Sequence, residues 1–190
     1  MNKSQNPTAV QSKIWIMDSL ISIMETKDFK EISISEISDR AGLVRRTFYR
    51  NFSSKEDVLQ SYFNSLVDEF VRRISLYKTL DCNESLRELL KICKEHKDFF
   101  QGLKRSNMLG FMLEQWNLVL PKIHAQMLDK IRHFPQSKSE KSLEYLLAFN
   151  VGGTFNMVMK WIHEDMAISP DELADIVEEF SGGSLITKEG

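Results

Sequence analysis

The sequence predicts an all-α chain, with a small N-terminal head of short helices, a connecting helix and a larger helical body. Three observations carry this. Apolar residues recur at three- and four-residue intervals along most of the chain, helix-capping pairs stand at the starts of several of these runs, and no alternation of apolar and polar residues reads as a strand. Composition agrees: 42% of the 190 residues are hydrophobic and 27% charged, with 8 Gly and 4 Pro, the balance of a helix-rich chain that buries its own core.

The first helix is expected over 9–26, with Ile14, Met17, Leu20, Ile21 and Met24 as its apolar stripe. Ser33 followed by Glu36 is a capping box, and it opens a second helix that carries Ile34, Ile37 and Ala41 on one face and stops at Gly42. Val44, Phe48 and Phe52, four residues apart, predict a third short helix with its aromatic side inward. Ser53 and Glu56 form a second box, and Leu59, Phe63, Leu66 and Phe70 mark the buried face of a longer helix. The chain thus divides into a head over 1–54, a connecting helix over 55–76 and a body over 77–190.

In the body, helices are expected over 83–95 and 98–103, then over 108–131 with Pro121 as a kink or boundary. The polar stretch PQSKSEKS reads as a linker, and a long helix follows from Leu143 to about His163. Ser169 as cap, Pro170 at the first helical position and Glu172 completing the box open the last helix. Leu173, Ile176, Val177 and Phe180 are its apolar face, and Gly182-Gly183 are expected to stop it.

The polar N-terminus, MNKSQNPT, leads into an amphipathic segment, so neither a secretory signal nor a membrane span is expected, and the chain reads as cytoplasmic. Cys82 and Cys93, at separate turns of one helix, lie too far apart to bond and are expected as reduced thiols. His96, His124, His133 and His163 show no metal-ligand spacing, and neither a metal nor a cofactor is expected. The chain contains no nucleophile elbow, phosphate-cradling glycine loop, HExxH or paired-cysteine motif, which argues against an enzyme.

Charge is the informative anomaly. The chain has a formal net charge of -2, yet five basic and no acidic residues fall between Arg40 and Lys55. Two short helices joined at Ala41-Gly42, the second carrying Arg45, Arg46, Thr47, Tyr49 and Arg50 away from Phe48 and Phe52, describe a helix-turn-helix. Arginine forks onto guanine, while hydroxyls and lysine reach phosphates. A solvated helix face explains most basic runs. It does not explain a short helix pinned by two phenylalanines after a glycine turn, nor Lys55 in a first helical turn, where positive charge opposes the helix dipole unless it faces a phosphate.

The run ISISEISDRAGLVRRTFYRNFSSKEDVL resembles the DNA-binding signature of TetR/AcrR-family transcriptional regulators, "IA..AGVS.GT.Y.HF.SKE.L". Ile37, Ala41, Gly42, Thr47, Phe48, Tyr49, Phe52, Ser54, Lys55 and Glu56 occupy family positions. The resemblance implies base or nearby phosphate contacts for Arg45, Arg46 and Arg50, phosphate contacts for Thr47, Tyr49 and Lys55, and secondary phosphate contacts for Ser33 and Ser35. Val44 departs from the serine that often caps the recognition helix, a loss of about 1 kcal/mol. Arg46 stands where glycine is common and adds charge at the groove.

The segment YLLAFNVGGTFNMVMKWIHEDMAISPDELADIV is similar to the family's closing helix pair, which implies a homodimer. Leu146, Asn150, Gly153, Met157, Leu173, Ile176, Val177 and Phe180 are the candidate interface, and Gly152-Gly153 in a helical pattern fits close helix approach. The resemblance also implies a cavity for a small apolar or amphipathic effector. Phe100, Leu103, Met108, Phe111, Met112, Trp116 and Phe149 are its candidate lining, although such a stripe is more often core than pocket. The expected function is a sequence-specific regulator that binds double-stranded operator DNA, a repressor released by its effector; the alternative is an effector-free co-regulator or activator acting through a protein partner.

Overall fold

The computed structural model describes residues 7–79, 81–127 and 140–184. Among them are nine α-helices, a short 3-10 turn over Phe29–Glu31 and no strand. The helices are α1 Pro7–Met24, α2 Ile34–Arg40, α3 Arg45–Asn51, α4 Lys55–Ser75, α5 Cys82–Glu95, α6 Lys97–Arg105, α7 Gly110–Met127, α8 Glu140–His163 and α9 Pro170–Ser184. They form two units: one of residues up to Asp68 with Asp98–Met108, the other of Glu69–Lys97 with the residues from Leu109 on. The short helix α6 therefore groups with the first unit rather than with the body in which the sequence reading placed it.

In the first unit Ile16, Leu20, Met24, Ile37, Phe48, Leu59, Phe99 and Leu103 are almost wholly buried. The stripe of α1 is buried as expected at Leu20, Ile21 and Met24 and differs nearer the N-terminus. Ile14 is exposed and Met17 half-buried, while Ser12 and Ser19 lie inside. Ile16 takes the inward place there, and the two buried serines blur the apolar period over that half of the helix. Helix α6 reaches α1 closely: a Cβ on Gly102 would stand 2.9 Å from Met24 Cβ. The buried Ser106 hydroxyl accepts the Phe29 N–H at 2.9 Å, tying the 3-10 turn to the end of α6.

In the second unit Arg73 of α4 bonds Glu69 one turn back and Glu95 of α5, and Tyr77 donates to Glu88 at 3.0 Å. Hydrogen bonding to Arg73 holds the Glu95 carboxyl below the ordinary range. An unforeseen capping box, Asp81 with Glu84, opens α5. Arg87 of α5 joins Asp171, Asp175 and Glu178 of α9. Pro121 lies inside α7, as the sequence allowed.

Ser169 accepts the Glu172 N–H at 3.1 Å and caps α9, as expected. Gly182-Gly183 do not stop α9, which runs to Ser184. Helical glycine costs about 1 kcal/mol but forbids nothing. The linker expected at 135–142 falls largely outside the described residues, as do His133, residues 128–131 of the predicted seventh helix, and the side chains of His124 and Phe180.

Candidate nucleic-acid interface and helical cavity

The turn before α3 is built by glycine. Gly42 has φ +66, a left-handed conformation that side chains resist. Its N–H bonds Asp39 O at 3.1 Å and the Leu43 N–H bonds Ser38 O at 2.9 Å, the paired bonds of a Schellman motif that ends α2. The capping box predicted at the start of α2 is present: Ser33 and Glu36 bond reciprocally. Lys27 also donates to Glu36 at 2.6 Å, and this bond with those from Ser33 holds the Glu36 carboxyl at about 2.

Helix α3 is anchored by Phe48 and Phe52, whose rings sit 6.1 Å apart in the core. Val44 is a correction. It is 70% exposed, because it occupies the N-cap in extended conformation (φ -76, ψ 147) and its side chain leaves the face that the four-residue period would assign. The helix starts without a side-chain cap, as a valine there requires.

With Phe48 turned inward, Arg45, Arg46, Tyr49 and Arg50 are all exposed and Thr47 is half-buried. The Arg45 guanidinium lies 6.0 Å from the Tyr49 ring centroid and 3.4 Å from its hydroxyl, so the two polar tips are held side by side. The Tyr49 ring rests edge-on against Phe48 at 5.6 Å. Ser33 is exposed but its hydroxyl is engaged in the cap; Ser35 is half-buried.

Lys55 is held against the neighbouring backbone. Its ammonium does not extend outward: it donates to Phe29 O at 2.6 Å, Ile32 O at 2.9 Å and Lys30 O at 3.1 Å, and lies 4.7 Å from the Phe29 ring centroid. Three carbonyls around one ammonium offset its unfavourable place at a helix start, the reason that had been assigned to a phosphate. The cap of α4 is also shifted by one residue. Ser54 Oγ accepts the Asp57 N–H at 3.2 Å while Asp57 bonds Ser53, so Glu56 takes no part in these bonds.

The second unit contains a cavity of about 200 Å³ walled by α4, α5, α7 and α8. Of the seven residues expected to line it, Met112 and Trp116 do. Phe100 and Leu103 are buried in the first unit, Met108 belongs there too, Phe111 is half-buried off the lining, and Phe149 is 77% exposed. Aromatic content drew attention to α6 and α7. The better signal was spacing: Cys82, Ser85, Leu86, Leu89 and Cys93 form one stripe of α5 on the cavity. Burial pushes the Cys93 thiol up to about 12.

Among the candidate interface residues, Asn150, Gly153 and Ile176 are exposed, and Leu146, Met157 and Val177 are half-buried. Leu173 is buried within its own unit, so it is not available to a partner. A Cβ on Gly152 or Gly153 would meet nothing within 4 Å, so neither is needed for packing inside this chain. Among the described residues no group of three or more His, Cys, Asp or Glu could hold a metal, and no helix is long and apolar enough to cross a membrane.

Comparison with known proteins places both units. Residues 16–62 match the model of bacterial regulatory proteins of the tetR family, and residues 81–183, more than half the chain, match a transcriptional regulator C-terminal region. An uncharacterized HTH-type transcriptional regulator of Bacillus subtilis, YxbF, is 22% identical over 86% of this chain and 43% of its own length. EthR of Mycolicibacterium smegmatis, another HTH-type regulator, is 37% identical over 37% of this chain and 31% of its own. The chain thus spans less than half the length of these curated relatives. Among solved structures, the dihydroxyacetone kinase operon activator DhaS superposes with a TM-score of 0.65 at 22% identity, covering 89% of this chain and 93% of that one. The exposed arginines on a glycine-turned, phenylalanine-anchored helix and the two matched regions meet in one conclusion: the chain belongs to the TetR family of transcriptional regulators.

Proposed function

We propose that this protein is a dimeric DNA-binding transcriptional regulator that represses by occupying its operator and is released by a small apolar effector bound in the cavity of the second unit. The observation that carries DNA binding is α3, with Arg45, Arg46, Tyr49 and Arg50 exposed on one short, anchored helix. Arg46 and Arg50 reach base edges or neighbouring phosphates, while Arg45 and Tyr49, held together, bind phosphate. One short helix reads few bases, so a two-fold pair of chains reads two half-sites. The exposed Asn150, Gly153 and Ile176 and the open space beside Gly152-Gly153 support α8 and α9 as the dimer surface.

Effector release needs only a ligand that prefers one spacing of the two heads. The cavity supports it. The test is selection of bound sequences from a random duplex pool by the full chain. Enrichment of a two-half-site sequence that Arg46→Ala no longer enriches is expected; a pool that stays random after repeated rounds defeats the proposal. Similarity to DhaS, described as an activator, favours activation as a second reading. A reporter gene behind the selected sequence separates the two by the sign of its response.

A further inference from the structure

The cavity carries charge of one sign. Among the described residues its walls are mostly aliphatic and aromatic, with Ser85, Asn150 and Thr154 as neutral polar groups beside the thiols of Cys82 and Cys93; its one formally charged side chain is Asp81, and no lysine, arginine or histidine takes part. Asp81 is exposed and is the N-cap of α5, so its carboxylate stands where the cavity meets solvent. A helix N-terminus attracts anions. This one is already filled: Asp81 Oδ1 accepts the Glu84 N–H at 2.7 Å and Glu84 Oε2 accepts the Asp81 N–H at 2.8 Å. Two carboxylates there oppose an arriving anion, and Arg87, one turn on, is engaged by three carboxylates of α9.

On the same lining, Phe70 and Trp116 meet edge to face at 5.8 Å, and Phe155 is also on the wall. Aromatic faces attract cations, which alkyl walls do not. The volume of about 200 Å³ compares with an engineered cavity of about 150 Å³ that holds benzene. The fitting body is therefore an alkyl or aryl group of about eight carbons, by the same scale.

We propose that the cavity selects apolar cations, taking an ammonium head at Asp81 and a short hydrocarbon body against Phe70, Trp116 and Phe155, and that it rejects carboxylates of equal length. This rests on the reading of the cavity as the effector site.

Calorimetric titration of the full chain with octyltrimethylammonium, 1-octanol and octanoate at neutral pH tests both. The ammonium should bind at least about tenfold tighter than octanoate, as expected for attraction replaced by repulsion beside a carboxylate. Asp81→Asn, which keeps a capping oxygen, should bring the ammonium to about the affinity of octanol. Ser85→Arg, placing a cation on the lining, should reverse the preference towards octanoate. Octanoate binding as tightly as the ammonium to the unaltered chain overturns the selectivity and leaves the effector reading standing. Binding of none of the three contradicts the effector reading itself.

Discussion

The two units place their positive charge in opposite ways. In the first, Arg45, Arg46 and Arg50 project from α3, and among the described residues Arg45 meets only Tyr49 while none of the three takes part in an ion pair. In the second, Arg73 bridges Glu69 and Glu95, and Arg87 is surrounded by Asp171, Asp175 and Glu178. An arginine enclosed by carboxylates is part of the architecture; one left open on an anchored helix is available to an external anion. Lys55 shows why composition does not distinguish them: it lies within the basic run, yet its ammonium is enclosed by three carbonyls.

Five substitutions test this contrast between the two units. Phe48→Ala removes the buried anchor of α3 and should cost about 3–5 kcal/mol in chemical denaturation of the first unit. Arg73→Met, in the second unit, should cost about 1–2 kcal/mol, its partial exposure reducing the value of its charged hydrogen bonds. By contrast Arg45→Ala should leave stability within about 0.5 kcal/mol and weaken DNA binding. Lys55→Met should cost about 1–3 kcal/mol by leaving the carbonyls without their donor. It should leave the salt slope of DNA binding unchanged, whereas a fall of about 1 would make Lys55 a phosphate contact. Val44→Ser supplies the missing cap and should add about 0.5–1 kcal/mol.

The smallest effect is electrostatic. Glu36, held at about 2 against an ordinary 4.5, stabilises the fold fully above pH 4.5, and the benefit is lost as pH falls from there towards 2. Lys27→Met should move the Glu36 midpoint up towards 4.5 in an NMR titration. An unmoved midpoint would assign the shift to the Ser33 cap alone.

The head was largely legible because its determinants are local. Gly42 at a left-handed turn, the Ser33 and Glu36 box and the pair Phe48 and Phe52 are all set within a few residues of chain. The exposure of Val44 and the carbonyl cage around Lys55 were not legible for one reason: each lies at a helix end, where periodicity and dipole arguments assume an environment that the neighbouring backbone replaces. The body was less legible because its cavity gathers side chains from four helices far apart in sequence. Aromatic residues such as Phe100 pointed to the wrong unit, while the stripe on α5 carried no chemical label beyond its spacing.

The claim that the open arginines of α3 face DNA is tested most directly by the salt dependence of binding. Fluorescence anisotropy of a selected operator duplex, titrated at several salt concentrations with the unaltered chain and with a chain in which Arg45, Arg46 and Arg50 are all alanine, gives the slope of log affinity against log salt. A slope that becomes shallower by about 2–3 per reading head in the variant, with melting temperature retained, is the predicted result. Equal slopes and affinities for the two chains would contradict the account.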